Sequence, residues 1–183
     1  MELYDAIRGR RSTRSFEDRA VPREILGRVL EAARQAPSAN NLMPWRLVVV
    51  TDAGTRAAIA SSGTYGKFLA RAPVVIAAVG DAVSSPKWYA VDTAIALEHL
   101  ALAAVAEGLG TCWVGSFGEG VAHKALGLTE GYRIVALLAL GYPKERIDLA
   151  RIANSLIHPD KSLDRVACEE KFDRPWKARP DVS

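Results

Sequence analysis

The most constraining feature of this sequence is a long apolar segment near its middle, from Tyr89 to Glu107. Apolar side chains fall on nearly every side of the helix that this segment would form, so we expect that helix to run through the centre of the fold. Its polar side chains include Asp92, Glu98 and His99, which would be costly in a lipid bilayer. The segment therefore predicts a central core helix, and the sequence predicts no transmembrane helix.

Helices and strands are expected to alternate along the chain. Helical spacing predicts four further helices, at residues 3–9, 22–33, 52–60 and 121–126. Apolar runs rich in β-branched residues predict four strands, at residues 45–51, 74–79, 111–114 and 133–140. After Pro143 the pattern weakens, and the chain is expected to end in an extended tail whose Phe172 and Trp176 need a surface to pack on.

Length and composition predict one globular domain that covers residues 1–183. With 49% hydrophobic and 25% charged residues, disorder, collagen and coiled coil are all disfavoured. The net charge of +3, from 24 Lys plus Arg and 21 Asp plus Glu, is too small to indicate binding to nucleic acid or membrane by bulk attraction. The two cysteines, Cys112 and Cys168, lie far apart, and the first residues do not resemble a signal peptide, which predicts a reducing, cytoplasmic compartment.

Positive charge is nevertheless concentrated near the start of the chain. Four arginines and two hydroxyl side chains fall within seven residues: Arg8, Arg10, Arg11, Ser12, Thr13 and Arg14. Guanidinium groups bind phosphate bidentately, and hydroxyl and loop amide groups add donors. The cluster indicates either a phosphate site or a set of solvated surface arginines.

A second polar cluster follows the predicted helix at residues 22–33. Hydrogen-bonding side chains stand there in a loop bounded by Pro37 and Pro44, between that helix and a buried strand. This is a usual location for a binding loop, although a simple turn remains an alternative.

Several other kinds of chemistry find no support. His99, His123 and His158 have no cysteine or carboxylate at the spacing of metal ligands, so no metal site is expected. Ser116 does not fit the nucleophile motif G-x-S-x-G. There is no phosphate-binding Walker A loop, and the glycines of 108–110 follow a helix where a dinucleotide fold needs them to open one. Any chemistry should therefore come largely from a bound cofactor.

Three motifs, taken together, resemble the FMN-dependent nitroreductase family. They are RRSTRSF at residues 10–16, PSANNLMPW at residues 37–45 and GLGTCWVG at residues 108–115. The resemblance implies an α+β, nitroreductase-like fold with a central, mainly antiparallel β-sheet flanked by helices. It also implies a homodimer that holds FMN at the subunit interface, with an extended C-terminal arm, about residues 163–183, exchanged between subunits.

The resemblance assigns the arginine cluster to FMN. Arg10, Arg11 and Ser12 would hold the ribityl phosphate, and Arg14 would reach the pyrimidine end of the flavin. A cation at that end stabilises the negative charge that a reduced flavin carries near N1 and O2.

The proline-bounded loop would lie beside the same flavin, across the subunit interface from the arginines. The matching residues are Pro37, Ser38, Ala39 and Asn41. Met43 departs from the family, in which many members have Gln before Pro-Trp, so a polar contact is missing or replaced there.

A third part of the site would run along the isoalloxazine ring. Trp113, Val114, Gly115 and Ser116 match this segment, whose backbone N–H groups would point at flavin N5 and O4. The small residues permit a close approach of the backbone. The alternative is a strand that simply ends in a glycine turn.

Two lysines complete the implied site. Lys67 matches a lysine that some members place near flavin O2 or the nicotinamide cofactor, although Thr64 stands where they often have Asn. Lys161 is the best match for a basic residue that closes the phosphate site, although Asp160 falls where a second cation is common. Each lysine could instead be an ordinary surface residue.

The resemblance implies an enzyme that moves a hydride from NADH or NADPH through flavin N5 to a small electrophilic acceptor, by a ping-pong mechanism. The acceptor would be a nitroaromatic, a quinone or an enone, and no catalytic side chain is assigned because the flavin carries the chemistry. The expected partners are a second copy of the chain and the acceptor, with no nucleic acid and no membrane. Alternatives are a flavin carrier without turnover, a dehalogenating or flavin-cleaving member of the fold, and a nucleic-acid binder that uses the arginines. The physiological substrate and the choice between NADH and NADPH do not follow from the sequence.

Overall fold

The structure, a computed structural model, describes residues 1–63, 67–144 and 162–177. Its contacts divide the chain into two units, Met1–Arg146 and Ile147–Ser183. In the second unit, the described residues form a short 3₁₀ turn at Leu163–Arg165 and a β-bridge between Cys168 and Pro175. The first unit contains the helices, the sheet and the predicted site residues other than Lys161.

The first unit has five α-helices and four strands among its described residues. The helices are α1 (Leu3–Gly9), α2 (Arg23–Arg34), α3 (Ala53–Ser61), α4 (Tyr89–Ala106) and α5 (Glu119–Ala125). The strands are β1 (Trp45–Val50), β2 (Val74–Asp81), β3 (Gly110–Val114) and β4 (Tyr132–Gly141). All nine predicted elements are confirmed, with ends that differ from the prediction by two residues or fewer.

The strands form one open sheet in the order β1-β2-β4-β3, and every neighbouring pair is antiparallel. This confirms the predicted α+β class with an antiparallel sheet. The pairing of β2 with β4 changes register once, because Ala78 lies opposite Ala136 whereas Val79 lies opposite Ile134. Val135 is therefore an extra residue in β4, a β-bulge that bends the strand locally.

Alternate side chains of the two central strands enter two different cores. On β2, Val74, Ile76 and Ala78 pack with α2 and α4 on one face of the sheet. Val75 and Ala77 pack on the opposite face with residues of α3 and α5. Because successive side chains of a strand point to opposite faces, a strand buried on both sides is apolar throughout.

Helix α4 is the centre of the first of these cores. Its Leu97, Leu100, Ala101 and Ala104 are fully buried. By length and composition alone this helix could cross a membrane, but its buried face packs against α2 and the sheet, which confirms the predicted core helix. The opposite side is less covered, since Val91 is 48% exposed.

An ion pair joins the far end of α4 to α2. The Arg28 guanidinium donates two hydrogen bonds to the Glu107 carboxylate, at 2.7 and 2.8 Å. These bonds hold the pKa of Glu107 below its usual range. Both side chains are at least partly exposed, so the pair adds little to the stability of the fold.

Removing buried volume between α2 and α4 should destabilise the first unit. Val29→Ala deletes two methyl groups from a fully buried position on α2, and the free energy of unfolding should fall by about 2 kcal/mol. The matched control, Val121→Ala, changes a side chain of α5 that is 49% exposed and should cost less than about 0.5 kcal/mol. Urea unfolding followed by circular dichroism measures both. Equal losses would contradict the packing described here.

Candidate functional site

The arginine segment, residues 10–16, leaves the end of α1 and runs beside strand β3. The Thr13 N–H donates a hydrogen bond to the Thr111 carbonyl at 2.8 Å. Ser12 forms a parallel β-bridge with the same residue. Gly110 allows this contact, because a Cβ at that position would lie 2.5 Å from the Thr13 hydroxyl oxygen. The predicted loop is therefore held as an extended segment along the edge of the sheet.

The end of the segment is fixed to the residues that follow β4. Phe16 forms an antiparallel bridge with Pro143. The Lys144 N–H donates to the Ser15 carbonyl at 3.0 Å, and the Glu17 N–H donates to the Tyr142 carbonyl at 2.9 Å. The arginine segment is therefore fixed at its start by α1 and at its end by the residues that follow β4.

The arginine side chains lie at the surface, where a ligand can reach them. Arg11 is exposed, and Ser12 and Arg14 are half-buried. The Arg10 guanidinium lies 3.7 Å from the Glu98 carboxylate of α4. Since both members of that pair are partly exposed, Arg10 is oriented by Glu98 without being removed from solvent.

The predicted ring-facing segment stands at the other end of β3. Val114 is buried, Trp113 is half-buried, and Gly115 and Ser116 are exposed. A Cβ placed on Gly115 would meet nothing within 4 Å, so the space above its backbone is open. Four residues of extended chain separate Thr111 from Gly115, which is about 13 Å. The structure thus places the arginine segment and the open backbone along one strand.

The chain after α3 supports this backbone. The Ser62 hydroxyl accepts a hydrogen bond from the Gly118 N–H at 3.1 Å and donates one to the Ile59 carbonyl. Gly63 lies so close to Ser116 that a Cβ there would overlap the Ser116 carbonyl oxygen. The position of the exposed segment is therefore set in part by Ser62 and Gly63.

The proline-bounded loop has a backbone of unusual shape. Asn40, Asn41 and Met43 all have positive φ, at 51°, 55° and 44°. Asn tolerates this region comparatively well, whereas Met does so rarely. The Ser38 hydroxyl accepts a hydrogen bond from the Met43 N–H at 2.9 Å and keeps its own hydrogen for a further acceptor.

A buried carboxylate on α4 holds the middle of this loop. The Ala39 N–H donates to Asp92 Oδ2 at 3.2 Å, and Asp92 is only 4% exposed. The sequence analysis used Asp92 only as an argument against a membrane helix. The sequence signal that could have identified Asp92 is a carboxylate in the first turn of a largely apolar helix. Asp92 lies 53 positions from Ala39 and belongs to none of the three motifs, so the sequence did not connect it with the loop.

Helix α4 therefore supports both groups of predicted site residues. Asp92 contacts the loop and Glu98 contacts the arginine segment. The two carboxylates are six residues apart, which is about 9 Å along the helix axis and about 120° around it. The structure places the arginine segment at the start of β3 and the open backbone of Gly115 just after its end. The loop is held by Asp92 of α4.

The two lysines are only partly described. Lys67 begins a 3₁₀ helix that ends at Arg71. Lys161 lies outside the described residues, as does Thr64. The assignments of both lysines stay predictions.

A cavity elsewhere on the first unit shares no residue with the predicted site. It has a volume of about 270 Å³ and lies between β1, β2 and β4 and the turn after α5, where its lining includes Arg46, Val79 and Tyr132. This cavity therefore does not define the predicted site.

Comparison with known proteins identifies relatives of this chain. A model of the nitroreductase family matches residues 7–62 and 53–142. A protein of Archaeoglobus fulgidus, provisionally named NADH dehydrogenase/NAD(P)H nitroreductase, is 32% identical over 167 residues, which cover 87% of this chain and 95% of that protein.

Solved structures share the fold. A nitroreductase family protein from Clostridium novyi is 32% identical, with a TM-score of 0.75 over 96% of this chain and 97% of that one. A structure described as an FMN-dependent nitroreductase from Clostridium difficile has a TM-score of 0.74 and 24% identity, over 87% of this chain and 99% of that one. With the family model matched across the arginine segment, the loop and β3, the chain belongs to the nitroreductase family.

Proposed function

We propose that the protein is a homodimeric, FMN-dependent oxidoreductase that carries a hydride from NADH or NADPH to a small electrophilic acceptor, such as a nitroaromatic, a quinone or an enone. The observation that carries this proposal is the pairing of the arginine segment with β3, four residues from the open backbone at Gly115. Family membership supports an oxidoreductase. The ping-pong order of the two half-reactions and the class of acceptor belong to the proposal.

The residues present fit FMN. Arg10, Arg11 and Ser12 offer cationic and hydroxyl donors suited to a phosphate. The open space above Gly115 would admit a flat ring against the backbone. When bound, FMN supplies a ring that accepts a hydride from the nicotinamide and later gives it to the acceptor.

The chain's own task is to bind, orient and stabilise charge. The guanidinium of Arg14 would lie near the pyrimidine end of the flavin and favour negative charge there. The backbone N–H groups after β3 would face the ring edge, held in place by Ser62 and Gly63. No side chain of the chain has to act as acid, base or nucleophile in this scheme.

The names of similar proteins support the cofactors. The Archaeoglobus fulgidus relative is named for NADH or NAD(P)H, and the Clostridium difficile neighbour is described as FMN-dependent. Both statements concern those proteins, and we extend them to this chain as part of the proposal. A cytoplasmic location belongs to the proposal, because the sequence has only two cysteines, Cys112 and Cys168, which lie far apart along it.

Exposed apolar side chains support a homodimer. Trp88 and Val91, at the start of α4, are 44% and 48% exposed, and Leu42 and Met43 in the attached loop are 50% and 45% exposed. Exposed apolar side chains at the start of a helix and in the loop bonded to it are candidates for an interface between proteins. A second copy that covers them would bring the loop of one subunit towards the arginine segment of the other.

The decisive experiment follows the visible absorbance of FMN-loaded protein under anaerobic conditions. NADH or NADPH is expected to bleach the flavin absorbance, and a later addition of nitroaromatic, quinone or enone should restore it. Protein mixed with the acceptor alone is the control and should keep its spectrum. A bound flavin that neither nucleotide bleaches would show a flavin carrier instead, and preferred binding of polynucleotide, steeply weakened by salt, would favour the nucleic-acid alternative.

The arginine segment should discriminate FMN from riboflavin. Arg11→Ala is expected to weaken FMN binding by about ten- to a hundredfold and to leave riboflavin binding unchanged, because only FMN carries the phosphate. Arg8→Ala, at an exposed position on α1, is the matched control and should bind both flavins as the unmodified chain does. Titration calorimetry gives all the affinities. Equal losses for the two flavins would reject the phosphate role of Arg11.

The C-terminal arm should be needed for both the dimer and FMN. Deletion of residues 169–183 removes Phe172 and Trp176, which are 98% and 44% exposed, and is expected to weaken the dimer and release FMN together. Deletion of residues 178–183 alone keeps both aromatics and is the control. Analytical ultracentrifugation with absorbance detection measures mass and bound flavin at once. A stable monomer that retains FMN would refute the shared site.

A further inference from the structure

The buried carboxylate of Asp92 has no part in the function proposed above, yet it is placed beside the site. It lies in the first turn of α4, is 4% exposed, and accepts a hydrogen bond from the Ala39 N–H at 3.2 Å. Its neighbour Thr93 is fully buried, and the Thr93 hydroxyl has no hydrogen-bond partner in the described structure. Two adjacent polar side chains are thus buried, and the Asp92 carboxylate is bonded to the loop.

Packing alone does not explain a carboxylate at this position. Burying a charged group costs free energy unless hydrogen bonds or nearby dipoles compensate for it. The start of a helix favours negative charge, and the Ala39 N–H adds a charge-assisted hydrogen bond. An apolar side chain would fill the same core without this cost, so the carboxylate is explained by what it does for the loop.

The loop itself needs an external anchor. Three of its residues, Asn40, Asn41 and Met43, have positive φ, a backbone conformation that residues other than glycine adopt at a cost. The hydrogen bond from Met43 to Ser38 closes the loop on itself but does not fix it to the fold. At the loop's end the Asp81 N–H donates to the Pro44 carbonyl at 2.7 Å, which fixes the start of β1. The bond from Ala39 to Asp92 fixes the middle.

We propose that Asp92 is a positioning residue, which holds the loop of residues 37–43 in the conformation that contacts the isoalloxazine ring. This inference rests on the proposed FMN function, because it specifies how one part of that site is shaped. Asp92 does not touch the flavin. It acts through the Ala39 backbone, so its loss should affect binding of the ring and leave binding of the phosphate unchanged.

The test compares three variants of the full-length protein. Asp92→Ala removes the acceptor and is expected to weaken binding of FMN and of riboflavin by the same factor, about ten- to a hundredfold. Asp92→Asn retains an acceptor oxygen and should bind both flavins within about threefold of the unmodified chain. Thr93→Val, which replaces the adjacent buried hydroxyl, is the control and should bind as the unmodified chain does.

A second measurement, made on flavin-free protein, separates this inference from the proposed function. Amide hydrogen exchange by NMR should be faster at Ala39 in Asp92→Ala than in Asp92→Asn, with the amides of α4 beyond its first turn unchanged. If the unmodified chain binds no FMN, the proposed function fails, while this exchange difference still tests the anchor.

Several results would overturn the positioning role. They are unchanged flavin affinities in Asp92→Ala, a loss confined to FMN, or an Asp92→Asn variant as weak as Asp92→Ala. If Asp92→Ala does not fold, Asp92→Ser takes its place. Unfolding of both variants would make Asp92 a general stabiliser of α4 and would also overturn the proposal.

Discussion

Leu97, Leu100, Ala101 and Ala104 are buried between α2 and the sheet, and this contact fixes the position of α4. The sheet offers a suitable surface because alternate residues of β2 and β4 face the helix while the others face a second core. Once α4 is fixed, so are its buried carboxylate, Asp92, and its partly exposed one, Glu98. The parts of the candidate site are arranged around this one packing contact.

The edge of the sheet gives the second part of the arrangement. Strand β3 is at the end of the order β1-β2-β4-β3, so one side of it has no neighbouring strand in the described sheet. The arginine segment occupies part of that side, at Thr111. An unpaired strand edge is commonly covered in this way, which limits aggregation. Here the covering segment also brings a cluster of cations to the same strand as the open backbone at Gly115.

Polar residues inside an apolar helix distinguish α4 from a helix that only fills a core. Asp92 reaches the loop of residues 37–43, and Glu98 reaches Arg10. Burying the Asp92 carboxylate costs stability that packing alone does not return. The same helix thus combines a stabilising apolar face with two polar contacts to the segments that carry the candidate site.

The sequence by itself determined the elements and the chemical groups. The apolar pattern of Tyr89–Ala106 required a core helix, and the β-branched run of β2 required a buried strand. The prediction that β1 is also buried is wrong in part: β1 is an edge strand, and of its six residues only Val50 is buried. The three motifs identified the family, and the side chains of the arginine segment are of a kind that can bind a phosphate. Local pattern was sufficient for these features other than the burial of β1.

The tertiary structure decided what depends on contacts between residues distant in sequence. The strand order, the bulge at Val135 and the bond from Ala39 to Asp92, 53 positions apart, leave no local trace in the sequence. Positive φ at Met43 was also unforeseen, because propensity disfavours it and only the surrounding bonds hold it there. Side-chain type can be read along the chain, whereas the partner of a buried carboxylate is set by how α4 packs in three dimensions.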